Sequence, residues 1–269
     1  MTETTDEKKP PAGIDFAPLI RELREELEKT GAEARRSFQV SDDEKQRALA
    51  RLGFRPGREG GGLIVPAEQT AVELGPPSQE SLDIVMSTGN AELIRDGAIT
   101  VIGPDLAALR GKRSAFCQAV LIAFCPGQAA KLFELMNRRF LFNRLPGYMV
   151  RSVPGRLWVR VSHELMDAGF GFFELGLAIH SAYREDPAVA ACELVFCAGE
   201  SESVQRFSKL AAQSQALSRK SRKLELESDG TYSCDDLDCE SCDEKTYCDE
   251  LRDLIKYRRE LKKQRESEA

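Results

Sequence analysis

Apolar positions at helical spacing open the chain. Leu19, Leu23 and Leu27 recur at i, i+4 and i+8, with Arg21–Glu25 and Arg24–Glu28 at i, i+4 on the polar side. This stripe predicts one amphipathic helix over residues 14–38 that docks on the body of the protein. A second helix is predicted from Ser41, where Asp42, Asp43 and Glu44 suit the positive end of a helix dipole, to about Gly53. Residues 56–62 hold four glycines and read as a linker.

From about Val72 to Ser221 the period changes, and short runs rich in Val and Ile alternate with helical stretches. Ile99-Thr100-Val101-Ile102 predicts a strand that stops at Gly103-Pro104, and residues 116–124 form a continuous apolar run closed by Pro126-Gly127. Residues 128–139 read as helical, with Leu132, Leu135 and Met136 on one side. Residues 156–161 alternate Arg156, Trp158 and Arg160 against Leu157, Val159 and Val161, the period-2 pattern of a half-exposed strand. Residues 175–183 predict a helix, 192–197 a buried strand, and 201–223 a long polar helix. The alternation indicates an α/β fold, a mixed sheet flanked by helices. The expected organisation is a disordered tail (1–13), N-terminal helices and linker (14–62), an α/β domain (63–223), and a small Cys-rich metal module with a basic C-terminal helix (224–269).

Composition narrows the function classes. The 269-residue chain has a net charge of −6, which argues against a molecule that binds polyanions with its whole surface. No apolar run approaches the ~18 residues of a membrane span, and residues 1–11 carry no apolar core of a secretory signal, so the expected compartment is the cytoplasm, with no membrane partner. In that compartment eight cysteines are not expected to form a disulfide scaffold. Cys117, Cys125, Cys192 and Cys197 sit in apolar runs and read as small buried hydrophobes.

The other four cysteines carry the sharpest chemical signal. Residues 228–250 hold nine acidic residues, one lysine, and Cys234-x4-Cys239-x2-Cys242-x5-Cys248. Two thiolates in a C-x2-C pair converge on one metal, and two more complete four-coordination. Apart from Tyr232, only Leu237 and Tyr247 are offered for packing, so something other than burial must order the segment, which a metal centre would do; the alternative is four exposed thiols in a disordered acidic tail. Iron–sulfur, as a 4Fe–4S cluster, and zinc are both compatible with the ligand type. Residues 251–265 then read as a helix with seven Lys or Arg residues; nucleic acid is not expected as a partner, since Tyr257 is its lone aromatic.

A second signal is basic. Lys131, Arg138, Arg139, Arg144, Arg151, Arg156 and Arg160 stand against one acid, Glu134, over residues 131–160. Trp158, the only tryptophan, lies between two of these arginines on one predicted strand face. Such a face can grip phosphate bidentately and stack a base, or it can be a rim of solvated arginines. The two histidines, His163 and His180, are too few to suggest a catalytic relay.

Three segments in order, Val72-Glu73-Leu74-Gly75-Pro76, Ile99-Thr100-Val101-Ile102-Gly103-Pro104-Asp105 and Leu157-Trp158-Val159-Arg160-Val161-Ser162, resemble acetyl-CoA synthase, the β subunit of the carbon monoxide dehydrogenase/acetyl-CoA synthase complex. The helix around residues 173–183 and the strand around 193–196 follow in the family's order. The resemblance covers about residues 72–210 and corresponds to the α/β domain that precedes the family's catalytic domain. It implies a coenzyme A contact at Arg156, Trp158 and Arg160. The cysteines depart from the family: its nickel–iron–sulfur A-cluster uses a quartet of roughly C-x2-C-x8-C-x9-C and a later Cys-Gly-Cys, and this chain has no Cys-Gly-Cys. The resemblance therefore implies a relative that is not catalytic alone. It would carry a cysteine-bound centre at Cys234, Cys239, Cys242 and Cys248, and act in electron transfer or docking with carbon monoxide dehydrogenase or a related one-carbon enzyme in anaerobic acetyl-CoA metabolism. The alternatives are a subunit of a CO-methylating acetyl-CoA synthase completed by another chain, and a zinc-stabilised interaction protein.

Overall fold

The computed structural model describes residues 16–31, 35–53, 64–126, 145–153, 155–220, 224–226, 232–234, 257 and 260. The expected N-terminal tail, the 56–62 linker and the 128–139 helix lie outside these residues, as do Cys239, Cys242 and Cys248. Two compact units divide between Leu217 and Ser218.

The first unit is built on a mixed eight-stranded sheet. Its strands are β1 (Arg35–Gln39), β2 (Thr70–Leu74), β3 (Ser81–Thr88), β4 (Ala98–Ile102), β5 (Arg113–Phe124), β6 (Tyr148–Val153), β7 (Arg156–Ser162) and β8 (Val189–Gly199). They lie in the order β1-β4-β8-β5-β2-β7-β6, with β3 also paired to β5. The centre is the antiparallel pair β5·β8, in register from Ala115↔Gly199 to Ala123↔Ala191, with a shift before Phe124↔Val189. Both are predominantly apolar, interrupted within the ladder only by Gln118 on β5 and Glu193 on β8, because both of their faces are covered. The other edge of β5 is shared: β2 pairs in parallel with Arg113 and Ser114, and β3 continues in parallel from Phe116 to Ala123.

The expected α/β fold with N-terminal helices is therefore present. Helices α1 (Ala17–Lys29) and α2 (Asp42–Arg51) are followed by α3 (His163–Asp167), α4 (Phe172–Arg184), α5 (Ser201–Gln205) and α6 (Ser208–Lys220). Strand alternation assigns them to two faces. Phe116 and Phe196 point to one side, where Phe172 of α4 stacks on Phe196 at 5.3 Å and α2 packs on α4. Glu193 points to the other, where Arg24 of α1 donates to both its oxygens at 3.2 and 2.7 Å. Cys197, on the same side as Glu193, donates to the Ser203 carbonyl of α5 at 3.5 Å.

Two expected helices are corrected. The helix over 14–38 is instead α1 followed by strand β1. Thr30 has left the helical region (φ −78°, ψ 119°), and the chain turns back so that β1 pairs antiparallel with β4, Phe38 opposite Ile99. There Phe38 meets Phe173 at 5.2 Å and Arg36 pairs with Asp105 at 2.9 Å. The sheet edge and these contacts outweigh the continuing charge pattern. The long helix over 201–223 is two helices, α5 and α6. The apolar positions Val204, Phe207, Leu210 and Ala211 keep helical spacing through the break, so periodicity does not reveal it. At the break, Arg206 donates to Thr30 Oγ1 at 2.9 Å.

The second unit shows, among its described residues, an antiparallel hairpin of β9 (Leu224–Leu226) and β10 (Tyr232–Cys234), and helical conformation at Tyr257 and Glu260.

One turn holds β2, β3 and β7 together. Gly75 ends β2 with φ +57° and donates to Ser114 O at 2.8 Å. A Cβ there would lie 2.3 Å from Leu157 O, a backbone atom that cannot move cheaply. Beside it, Ser81 Oγ donates to Leu157 O and accepts from Leu157 N at 2.9 Å. Gly75→Ala is expected to destabilise the protein by at least ~2 kcal/mol, from left-handed strain and the clash together; urea unfolding checks this, and an unchanged midpoint would refute it.

Candidate functional site

Strand β7 carries all three predicted ligand residues, and three further strands, β2, β5 and β6, complete the face. On β7 the burial alternates as the sequence implies, with Leu157, Val159 and Val161 buried and Arg156, Trp158 and Arg160 turned out. Across β7, β2 supplies Glu73 opposite Arg160, and β5 supplies Arg113 opposite Glu73. On the other side, β6 supplies Arg151 opposite Trp158.

Glu73 is the hub. Its Oε1 accepts from Trp158 Nε1 and from Arg160 Nε, both at 2.9 Å, and its Oε2 accepts from Arg113 Nε at 2.9 Å. Arg160 lies 4.8 Å from the centre of the Trp158 ring and also donates to Val65 O at 3.3 Å. Burial by itself raises the Glu73 carboxyl; the hydrogen bonds from Arg160 and Trp158 and the charges of Arg160 and Arg113 together outweigh it, and the pKa falls below the ordinary 4.5. Sequence reasoning named Trp158 and Arg160 but missed that they serve an internal carboxylate. The available signal was a lone acid inside the apolar run Val72-Glu73-Leu74, which must find partners if buried.

Around this face the remaining arginines differ. The Arg113 side chain is 69% exposed even with Nε engaged. Arg156 is exposed and donates to Gln79 O at 2.8 Å; Arg151 is exposed. Lys131, Arg138, Arg139 and Arg144 lie outside the described residues.

A cleft of about 390 Å³ lies nearby, lined by residues that include Val65, Glu68, Gly147, Ser162, His163 and Glu164. Ser162 caps α3 by accepting from Leu165 N at 3.2 Å, and exposed His163 opens that helix. His180 is buried against Asp96 at 3.1 Å; burial lowers its pKa more than Asp96 raises it, so it is held neutral in the core. Cys117, Cys192 and Cys197 are buried and Cys125 half-buried. Burial raises the Cys117 and Cys192 thiols and pushes Cys197 up to about 12, so they pack as hydrophobes rather than react.

Of the expected metal ligands, Cys234 ends strand β10. Among the described residues no group of three or more His, Cys, Asp or Glu is placed to hold a metal ion. Also among the described residues, no helix is long and apolar enough to cross a membrane.

The profile of the CO dehydrogenase/acetyl-CoA synthase complex beta subunit family matches residues 57–203, a span that contains strands β2 to β8 and the whole arginine face. The chain belongs to this family. Its sequence is also 29% identical over 176 residues to the acetyl-CoA decarbonylase/synthase complex subunit beta of Methanothermobacter thermautotrophicus, an alignment covering 63% of this chain and 37% of that protein. The chain thus spans little more than a third of that beta subunit's length. Glu73, Trp158, Arg160 and Arg113 all fall within the family match.

The Glu73 cluster generates a pH prediction. A carboxyl held below its unfolded value contributes stability in full above about 4.5, and this is lost as pH falls through the lower folded value. Protonation also weakens the bond to the indole, so Trp158 emission should titrate in that acid window and the transition should vanish in Glu73→Gln. Glu73→Ala, which strands Arg160 at 20% side-chain exposure, should cost ~3 kcal/mol in urea unfolding.

Proposed function

We propose that this chain is a docking and electron-relay component of anaerobic one-carbon and acetyl-CoA metabolism. The observation that carries this reading is the family match over residues 57–203. The α/β unit provides a surface for carbon monoxide dehydrogenase or a related one-carbon enzyme. Cys234, Cys239, Cys242 and Cys248 hold a 4Fe–4S cluster. The support for the cluster is the donor set itself: four thiols within 15 residues, one C-x2-C pair, and almost no apolar side chain to order the segment otherwise. The surrounding Asp and Glu residues add negative charge that lowers a cluster's potential, which suits a donor of low-potential electrons. Zinc on the same four thiols would make the module a structural one without redox activity.

Coenzyme A at Arg156, Trp158 and Arg160 is the alternative to a protein partner as occupant of this face. It rests on the resemblance and on the three side chains sharing one face. Arg160 already stacks on the Trp158 ring, so the phosphates rather than the adenine would supply most of the contact.

Anaerobically purified protein should be brown and contain iron and sulfide. Substituting Cys239→Ser and Cys242→Ser together should abolish bound metal while Trp158 emission and the α/β unit's unfolding midpoint stay unchanged. Unaltered metal content in that double variant would overturn the ligand assignment, and colourless protein with zinc would replace electron relay by a structural role.

A further inference from the structure

Within the docking reading, which this inference rests on and deepens, we infer that the arginine face engages an acidic protein surface. The contacting residues are Arg113, Arg151 and Arg156, with Glu73, Trp158 and Arg160 as the positioning base beneath them. The division follows from the hydrogen bonds. Glu73 takes the Nε edges of Arg113 and Arg160 and the indole N–H. Arg160 has its remaining contacts on the Trp158 ring and Val65 O, and its side chain is 20% exposed. Arg113 instead presents its terminal nitrogens to solvent, and among the described residues Arg151 has no acidic partner.

The shape of the face selects the class of partner. Arg113 and Arg151 are three strands apart, roughly 15 Å between backbones at normal strand spacing. A single phosphate cannot bridge them. Small-ligand sites are concave, yet the described cleft carries Glu68 and Glu164, of the wrong sign for an anion, and includes none of these arginines. Across β2, β6, β7 and the start of β5, four arginines face one acid, Glu73. A broad, open, positive sheet surface with a half-buried tryptophan between arginines matches the residue types that anchor protein interfaces and is complementary to an acidic one.

The test uses the full chain with a ten-residue glutamate peptide and with inorganic pyrophosphate, read by Trp158 emission. The peptide should bind, and more weakly as salt rises from about 50 to 200 mM. The double variant Arg151→Glu/Arg156→Glu should bind it at least tenfold more weakly with an unchanged urea midpoint, while Arg151→Lys/Arg156→Lys should keep most of the affinity. Absence of peptide binding by the natural chain, peptide affinity unaffected by charge reversal, or pyrophosphate bound as tightly as the peptide would each overturn the inference. Failure here is separable from failure of the docking reading. A complex with carbon monoxide dehydrogenase that survives the charge reversal leaves docking intact and removes this face from it, whereas natural protein that forms no such complex removes the docking reading itself.

Discussion

The antiparallel pairing of β5 with β8 is the constraint on which the rest of the unit depends. Eleven- and twelve-residue strands that keep one register from Ala115 to Ala123, with a shift before Phe124, make a central ribbon whose two faces must both be covered, since nearly every side chain on it is buried. Helix α4 covers one face through the Phe116–Phe172–Phe196 stack. Helices α1 and α5 cover the other. The free edges of the ribbon then receive the remaining strands: β4 on β8, and β2 followed by β3 on β5. The arginine face exists because β2, paired with β5 only at Arg113 and Ser114, carries β7 and β6 on as a continuation of the sheet.

Buried carboxylates tie this scaffold together. Glu193 sits in the middle of apolar β8 and is 2% exposed; it accepts from Arg24 of α1 and from the Arg95 amide. Glu73 does the same for β5, β2 and β7. Each charge inside an apolar run is costly by itself, and each is offset by donors from other elements. These acids therefore fix which elements meet, and Glu73 additionally sets the electrostatics of the candidate site: it consumes the inner edges of two arginines and leaves the outer edges, with Arg151 and Arg156, as the surface that faces solvent.

The sequence by itself determined the α/β class, the core strands, the α1 stripe and the outward face of β7, because each is written in local periodicity. The arrangement of Arg156, Trp158 and Arg160 on one face follows from a period of two and needs no knowledge of neighbours. The family, too, was legible in short strand segments around Val72, Ile99 and Leu157. What only the tertiary structure decided is whatever depends on pairing between distant segments. Residues 35–39 continue a helical charge pattern but are a strand, since the open edge of β4 and the ring of Phe173 lie where they can be reached only after folding. The helix after Ser201 breaks beside Thr30, a residue more than 170 positions away, while its own apolar spacing runs on unbroken. Trp158 and Arg160 looked like ligands in waiting; a carboxylate 85 residues earlier in the chain already holds them. Periodicity reports which side of an element is buried, but the partner that satisfies a buried charge comes from another strand, and the sheet order that brings it there is a property of the whole fold.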